Sequence, residues 1–223
     1  MFRLIFQPGL STEEIIIRAI SVIVIAITAF AYHEYAHAIV ADRLGDPTPR
    51  NNGRITLNPF PHLDLVGMIL LLAVGFGWAT TPVRPDLLRG ETRKSMALVS
   101  VAGPIANILM ALLFTIPYQL ANFGLIDGIA FTQGNFEFFF RVGLYINVLL
   151  FIFNLLPIPP LDGFTILVGI LPKPMAQPLM SLRNSGMTAF LFIAIIFILP
   201  QFGIDVIGFI FPLVDQVVQF LVS

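Results

Sequence analysis

The stretch from Ala29 to Ala41 reads AFAYHEYAHAIVA, an apolar run interrupted by two histidines and one glutamate. His33 and His37 are four residues apart, so on an α-helix their imidazoles lie on one face and can reach a single metal ion. Glu34 lies about 100° around the helix from His33, where its carboxylate can address a water molecule on that ion rather than the ion itself. The chain has no cysteine, so any metal must bind to histidine, aspartate or glutamate. Zinc fits this pattern best, because imidazoles suit it and a catalytic zinc site keeps one position for water.

The composition around this stretch indicates an integral membrane protein. Of the 223 residues, 57% are hydrophobic and 11% are charged, whereas a soluble domain carries about 25% charged residues. The net charge of −1 offers no basic excess to neutralise a nucleic-acid backbone, so we expect no nucleic-acid partner. An ionisable side chain inside a membrane span costs about 2.5 kcal/mol or more, and a bound metal would offset that cost. The alternative is a membrane transporter, in which the same histidine, glutamate and aspartate side chains form a metal-ion or proton pathway.

Several charge-poor windows are long enough to cross the bilayer, which requires about 20 apolar residues. They are residues 19–41, 95–126, 142–161 and 184–214. These windows predict helices, because an open strand cannot satisfy its backbone groups in lipid. The last window is interrupted at Pro200, which predicts either one kinked helix or two shorter ones. We therefore expect an all-α integral membrane protein with about four to six transmembrane helices embedded in the lipid bilayer.

A further apolar run at residues 65–79 is short for a straight crossing and contains three glycines. If this run enters and leaves the membrane on one side, nearly all lysines and arginines collect on that side; if it spans, they divide more evenly. The positive-inside rule favours the first arrangement, so we predict a re-entrant segment near residues 65–79. The polar stretch before it contains Asn52-Gly53, a turn signal that predicts a small β-hairpin near residues 48–58.

Two histidines leave one protein ligand to be found, and catalytic zinc sites with two histidines commonly add a carboxylate. Asp162 is the candidate at membrane depth, near the end of the segment NLLPIPPLDG at residues 154–163. Its three prolines cannot continue a regular helix, and irregular backbone within a membrane is tolerated where it lines a cavity. The simpler interpretation is that Asp162 only caps the helix that follows. Together with the two histidines, however, the segment favours Asp162 as the third ligand.

The combined motifs resemble the site-2 proteases, which are zinc intramembrane metalloproteases, and in particular a compact prokaryotic subgroup without PDZ or CBS domains. A third segment, AGPIAN at residues 102–107, is similar to the Ala-Gly-Pro-x-x-Asn helix of that family. The resemblance covers a three-helix catalytic core at about residues 15–163 and leaves C-terminal helices at about residues 164–223. It implies one membrane-embedded metalloprotease domain over residues 1–223.

The resemblance also implies a set of roles. The zinc ligands would be His33, His37 and Asp162, holding one Zn²⁺ per chain, and Glu34 would be the catalytic residue. The expected activity is hydrolysis of a peptide bond in or near the transmembrane segment of a membrane-protein substrate, as in regulated intramembrane proteolysis. The expected location is the prokaryotic cell (inner) membrane, as a multi-pass protein.

Five further residues carry weaker signals. The site-2 proteases also carry an Asn…Pro…Asp-Gly stretch, which Asn154, Pro160 and Asp162-Gly163 resemble. The backbone near Asn154 and Pro160 can pair with an unwound substrate. Asn107 either packs helices together or contacts substrate. His62 and Asp64 are either a second metal-proximal pair, a gate or a pH-sensitive contact, or His62 is a solvated or capping residue. The sequence leaves these alternatives open, and also whether the chain forms a homo-oligomer.

Overall fold

The computed structural model describes residue 5 and residues 9–62, 81–127, 135–184, 188–206 and 208–223, and this part is built from helices. The α-helices are α1 Thr12–Arg43, α2 Thr48–Asn51, α3 Thr92–Asn122, α4 Asn135–Asn154, α5 Asp162–Ile170, α6 Lys173–Asn184, α7 Thr188–Ile193 and α8 Ile210–Val222. A π-helical stretch, Ala194–Ile198, follows α7, and short 3₁₀ turns lie at Phe60–His62, Pro85–Leu87 and Leu199–Phe202. No β-strand occurs within these ranges, so the predicted all-α fold is confirmed.

Within the part of the chain that the structure describes, three helices are long and apolar enough to cross a membrane: α1, α3 and the Phe136–Asn154 part of α4. They coincide with the first three predicted windows, and the chain is a membrane protein. The fourth window forms two shorter apolar helices, Phe190–Phe202 and Ile210–Val222, rather than one kinked helix. Pro200 lies near the end of the first helix, which Gly203 follows with φ +77°. The predicted re-entrant segment at residues 65–79 lies outside the described residues.

The first helix has clear signals at both ends. Ser11 and Glu14 form a capping box, in which the Ser11 hydroxyl accepts the Glu14 N–H and the Glu14 carboxylate accepts the Ser11 N–H. The helix then runs without a break through both histidines to Arg43. Gly45 follows with φ +108°, a conformation that favours glycine. The His-Glu motif therefore lies well inside a continuous helix, as its spacing requires.

The predicted hairpin near residues 48–58 is wrong, because this stretch begins with the helical turn α2. The Asp46 carboxylate accepts the Thr48 N–H at 2.9 Å, and Pro49 suits the first turn of a helix. The Asn52-Gly53 pair ends that turn instead of joining two strands. Gly53 has φ +67°, and its N–H donates to the carbonyl of Arg50. An Asn-Gly pair serves a helix C-terminus as well as a hairpin, and the preceding proline selects the helix.

Helix α3 lies at the centre of the bundle and packs against α1, α4 and α5. One apolar cluster joins α3, α4 and α8 through Ala111, Leu144, Val148, Ile210, Val214 and Val218. A second joins α1 and α4 through Val22, Ile25, Phe138 and Val142. The opposite face of α3 exposes large apolar side chains, namely Ile105, Leu109, Leu112, Leu113 and Ile116. Such an uncovered apolar face is expected of a helix that faces lipid.

Candidate metal centre

The side chains of His33, His37 and Asp162 converge on one point within the helical bundle. The Nε2 atoms of the two histidines are 3.0 Å apart. The Oδ2 atom of Asp162 lies 3.1 Å from the His33 Nε2 and 3.2 Å from the His37 Nε2. Both histidines are buried, and the three residues form a group whose donor atoms can hold one metal ion. The predicted ligands are thus brought together, although helix α5 follows α1 by more than a hundred residues.

The outer nitrogen of each imidazole is held by an acceptor on α3. The Nδ1 of His37 lies 2.7 Å from the carbonyl oxygen of Val99, which can only accept, so this Nδ1 carries the proton. The Nδ1 of His33 lies 2.6 Å from the side-chain oxygen of Asn107 and likewise donates. In metal sites, histidine ligands almost always donate their second ring N–H in this way, which fixes the ring and its tautomer.

This arrangement leaves three electron-pair donors facing one another. With Nδ1 protonated, each imidazole in its neutral form presents its Nε2 lone pair to the carboxylate of Asp162, as metal binding requires. The Oδ2 of Asp162 is buried and makes no hydrogen bond to any described residue. Three such donors repel one another unless a cation lies between them. Zinc binds imidazole nitrogen and carboxylate oxygen at about 2.0–2.2 Å, and donors spaced by 3.0–3.2 Å match that requirement.

The backbone of α3 packs directly against both imidazoles at a glycine. A Cβ atom at Gly103 would lie 2.5 Å from ring atoms of both His33 and His37. Only a residue without a side chain lets the α3 backbone approach this closely. Sequence analysis did not assign Gly103 to the site; the signal that was present is its place in the AGPIAN segment, four residues before Asn107.

Asp162 is the first residue of α5, and contacts near each end of this short helix hold it in place. At its start, a Cβ on Gly163 would collide with the backbone carbonyls of Leu155 and Leu156, so the chain folds tightly back on the end of α4. At its end, the Arg93 guanidinium donates to the carbonyls of Val168, at 3.1 Å, and of Leu171. Cationic groups are favourable at helix C-termini, where carbonyls lack partners.

Arg93 is itself held by an acid at the start of α3. Its guanidinium donates to the Glu91 carboxylate at 3.1 Å, and Lys94 pairs with the same carboxylate. Hydrogen bonds from Lys94 and Arg93 hold the pKa of the Glu91 carboxyl below its ordinary value. Sequence analysis missed Arg93, because nothing in the local pattern shows that its partners are carbonyls about 75 residues away.

Glu34 lies beside the three-donor group without belonging to it. Its side chain is buried, and its backbone carbonyl accepts the hydroxyl of Thr81 at 3.0 Å. The donor atoms that lie within 4.8 Å of one another belong to His33, His37 and Asp162. The predicted role of Glu34 as a carboxylate that addresses a water molecule rather than the metal stays a prediction.

The residues proposed to contact substrate occupy different environments. Asn107 is fully buried, and its side-chain oxygen accepts a hydrogen bond from the Nδ1 of His33. Asn154 is partly buried and donates to the carbonyl of Leu150 at 3.0 Å. Pro160 is exposed in the irregular segment between α4 and α5. A role for any of the three in substrate binding stays a prediction.

His62 is not a solvated loop residue. Its side chain is 1% exposed, and its Nε2 donates to the carbonyl of Thr56 at 2.9 Å. It does not belong to the three-donor group of His33, His37 and Asp162. Asp64, its predicted partner, lies outside the described residues.

Comparison with known proteins places this site in a family. A model of peptidase family M50 matches residues 117–199, a range that includes Asp162. A Bacillus subtilis protein named "Putative zinc metalloprotease YwhC" is 38% identical to the chain over 180 residues, which cover 80% of each protein. The chain belongs to peptidase family M50. This M50 protein is therefore a membrane metalloprotease of the site-2 type, and the predicted resemblance is confirmed.

Two further relatives carry the same designation as YwhC. Rip2 of Mycolicibacterium smegmatis is 30% identical over 179 residues, covering 75% of this M50 chain and 62% of Rip2. MJ0611 of Methanocaldococcus jannaschii is 29% identical over 157 residues, which cover 69% of this chain and 71% of MJ0611. No solved structure matches the chain.

Proposed function

We propose that this M50 protein is a zinc-dependent intramembrane endopeptidase that holds one Zn²⁺ per chain on His33, His37 and Asp162. The observation that carries the proposal is the buried triangle of two Nε2 atoms and one carboxylate oxygen, with sides of 3.0–3.2 Å. Two histidines and one carboxylate form a known catalytic zinc set, which leaves one position for water. The names of the relatives support the same metal.

Zinc at this position would lower the pKa of a water molecule and polarise the carbonyl of the scissile peptide. Glu34, beside the ligands but outside their group, would accept a proton from the attacking water as a general base. The same carboxyl group would then donate that proton to the leaving amine. Burial of the site restricts bulk water, which strengthens the electrostatic effect of each group.

The substrate that fits this location is a membrane protein with a transmembrane helix. His33 and His37 lie on a helix that is long and apolar enough to cross the membrane, which supports a scissile bond in or near a spanning segment of the substrate. Helical carbonyls are already hydrogen-bonded, so the substrate must unwind locally before it is cut. The irregular segment between α4 and α5, with Asn154 at its start and the exposed Pro160 within it, offers backbone groups to the unwound strand. The protein would act as a multi-pass protein of the prokaryotic inner membrane.

The test is cleavage of model transmembrane substrates by purified protein, with products identified by mass spectrometry. We expect cleavage that a zinc chelator stops and added zinc restores. Glu34→Gln keeps the size of the side chain but cannot accept a proton, so it should lower the rate by about 10²–10⁴-fold or more while zinc stays bound.

Two outcomes of this test would contradict the proposal. A Glu34→Gln protein that cleaves at the wild-type rate with zinc in place would remove the assigned general base. If no peptide product forms while Glu34→Gln alters ion flux in liposomes, the protein is a transporter.

A further inference from the structure

Two asparagine side chains are buried beside the metal centre, where α1, α3 and α4 pack together. Asn107 on α3 is 0% exposed and Asn147 on α4 is 1% exposed. The Asn107 amide donates to the Asn147 side-chain oxygen at 3.1 Å, and the Asn147 amide donates to the carbonyl of Gly143 at 2.8 Å. A buried amide is unfavourable unless its hydrogen bonds are made, so this pair is tolerated only in its bonded arrangement.

The donor and acceptor in each of these hydrogen bonds can be assigned from the backbone carbonyls, which can only accept. The carbonyl of Gly143 requires the NH₂ of Asn147, and this turns the Asn147 oxygen toward Asn107. Asn107 must then present its own NH₂ to that oxygen, and the carbonyl of Ala29, at 3.3 Å, demands the same orientation. The oxygen of Asn107 is left facing the Nδ1 of His33, which therefore carries the proton.

We propose that Asn147 is a positioning residue for the metal centre, which acts through Asn107 to hold His33 in the tautomer that offers Nε2 to a metal. The proposal rests on the metal-binding role of His33 in the proposed function. The two histidines differ in this respect. His37 is held directly by the carbonyl of Val99, which no rotation can reverse, whereas His33 depends on an amide that must keep one of two orientations.

Loss of Asn147 removes the nearer of the two acceptors that orient the Asn107 amide and leaves only the carbonyl of Ala29, at 3.3 Å. With this longer bond alone to hold it, the Asn107 amide more readily rotates to present its NH₂ to the Nδ1 of His33. In that state Nδ1 must accept, the proton moves to Nε2, and the imidazole cannot bind a metal. Partners of this kind typically change metal affinity by about 10–100-fold.

The experiment is a set of zinc affinities, measured by competition with a chromophoric chelator in the purified full chain. Asn147→Leu should weaken zinc binding by about 10–100-fold. Thr115→Val is the matched control, because Thr115 is also buried on α3 but its hydroxyl donates to the carbonyl of Leu112 within the same helix, away from both metal-binding histidines. Its zinc affinity should equal that of the wild type.

A second background separates positioning from packing. In Asn107→Asp, a carboxylate lies next to the Nδ1 of His33 and accepts its hydrogen bond in either orientation. The variant should therefore bind zinc without help from Asn147. In Asn107→Asp the Asn147 oxygen faces a carboxylate oxygen and offers it no hydrogen bond, so adding Asn147→Leu should not weaken zinc binding any further. A role in packing alone would weaken binding equally in both backgrounds.

Nitrogen NMR of the zinc-bound protein gives an independent reading, since the chain has only three histidines. The Nδ1–H signal of His33 should shift and exchange faster with water in Asn147→Leu, while that of His37 stays in place. Unchanged zinc affinity in Asn147→Leu, or an equal loss in the Asn107→Asp background, would overturn the proposal. Failure of the wild type to cleave peptides would overturn the proposed function alone, because these measurements do not depend on proteolysis.

Discussion

The two sides of the metal centre are built in opposite ways. The histidine side, His33 and His37, lies within one uninterrupted helix of 32 residues, and both imidazoles are tied to α3 by their outer nitrogens. The carboxylate side is Asp162, the first residue of a helix of nine residues that follows an irregular, proline-rich segment. Its Oδ2 faces the histidines and makes no hydrogen bond to a described residue.

The difference shows how each side is specified. On the histidine side, helical periodicity brings two ligands together, and the fold adds only their hydrogen-bond partners. On the carboxylate side, the position of one atom depends on contacts near both ends of α5: the close approach of Gly163 to α4 and the bonds from Arg93. Changes to the carboxylate side should therefore alter metal binding while the long helices stay intact.

The largest effect should come from removing a ligand on either side. His33→Ala and Asp162→Ala should each lose most of the bound zinc, measured by elemental analysis, and all proteolysis, because two remaining donors hold the metal weakly. Helix content by circular dichroism should stay near that of the wild type. Asp86→Ala is the control, since Asp86 pairs with Arg84 at the surface. Full zinc occupancy in Asp162→Ala would show that the carboxylate side is not part of the site.

A smaller effect is expected from crowding the histidine side. Gly103→Ala places a methyl group 2.5 Å from both imidazoles, whose Nδ1 bonds leave them little room to move. Zinc affinity should fall by about 10–100-fold, in the range found for altered partners of metal ligands. Chelator competition measures this, and thermal unfolding of the metal-free protein shows whether the loss is local. A zinc affinity equal to that of the wild type would mean that the imidazoles can move away from the α3 backbone at Gly103.

The smallest effect should come from removing the hydrogen bonds at the C-terminal end of α5, on the carboxylate side. Arg93→Leu removes the donors that hold the last carbonyls of α5, and bonds from a charged group are worth about 1.5–3 kcal/mol. Part of that energy should appear as a zinc affinity about tenfold weaker. Lys94→Leu is the matched control: Lys94 is adjacent and makes an exposed ion pair with Glu91, which contributes little. Equal effects of the two variants would show that Arg93 acts only through surface charge.

Much of the histidine side could be predicted from the sequence, because helical periodicity is local. The spacing of His33 and His37 and the lateral position of Glu34 follow from the pitch of one helix. Asp162 was also predicted, since few acids lie at membrane depth, but its distance from the histidines needed the fold.

The partners of these ligands could not be predicted in the same way. The carbonyl of Val99 carries no sequence signal at all. Asn147 had only a weak one, as an amide in a charge-free window, and the sequence analysis did not single it out. Its link to His33 passes through Asn107 on a third helix. The Asn-Gly pair at residues 52–53 was misinterpreted as a hairpin turn, because the same dipeptide also ends helices and only the packed chain distinguishes the two.

The most direct test of the convergence of both sides on one metal is X-ray absorption at the zinc edge, applied to the purified wild-type protein. The account predicts two imidazole nitrogens and oxygen donors from Asp162 and water, at about 2.0–2.2 Å. In Asp162→Asn, any zinc that remains should show altered oxygen scattering with both imidazoles retained. A wild-type spectrum with one imidazole, or with three, which would require His62 as a ligand, would contradict the site described above.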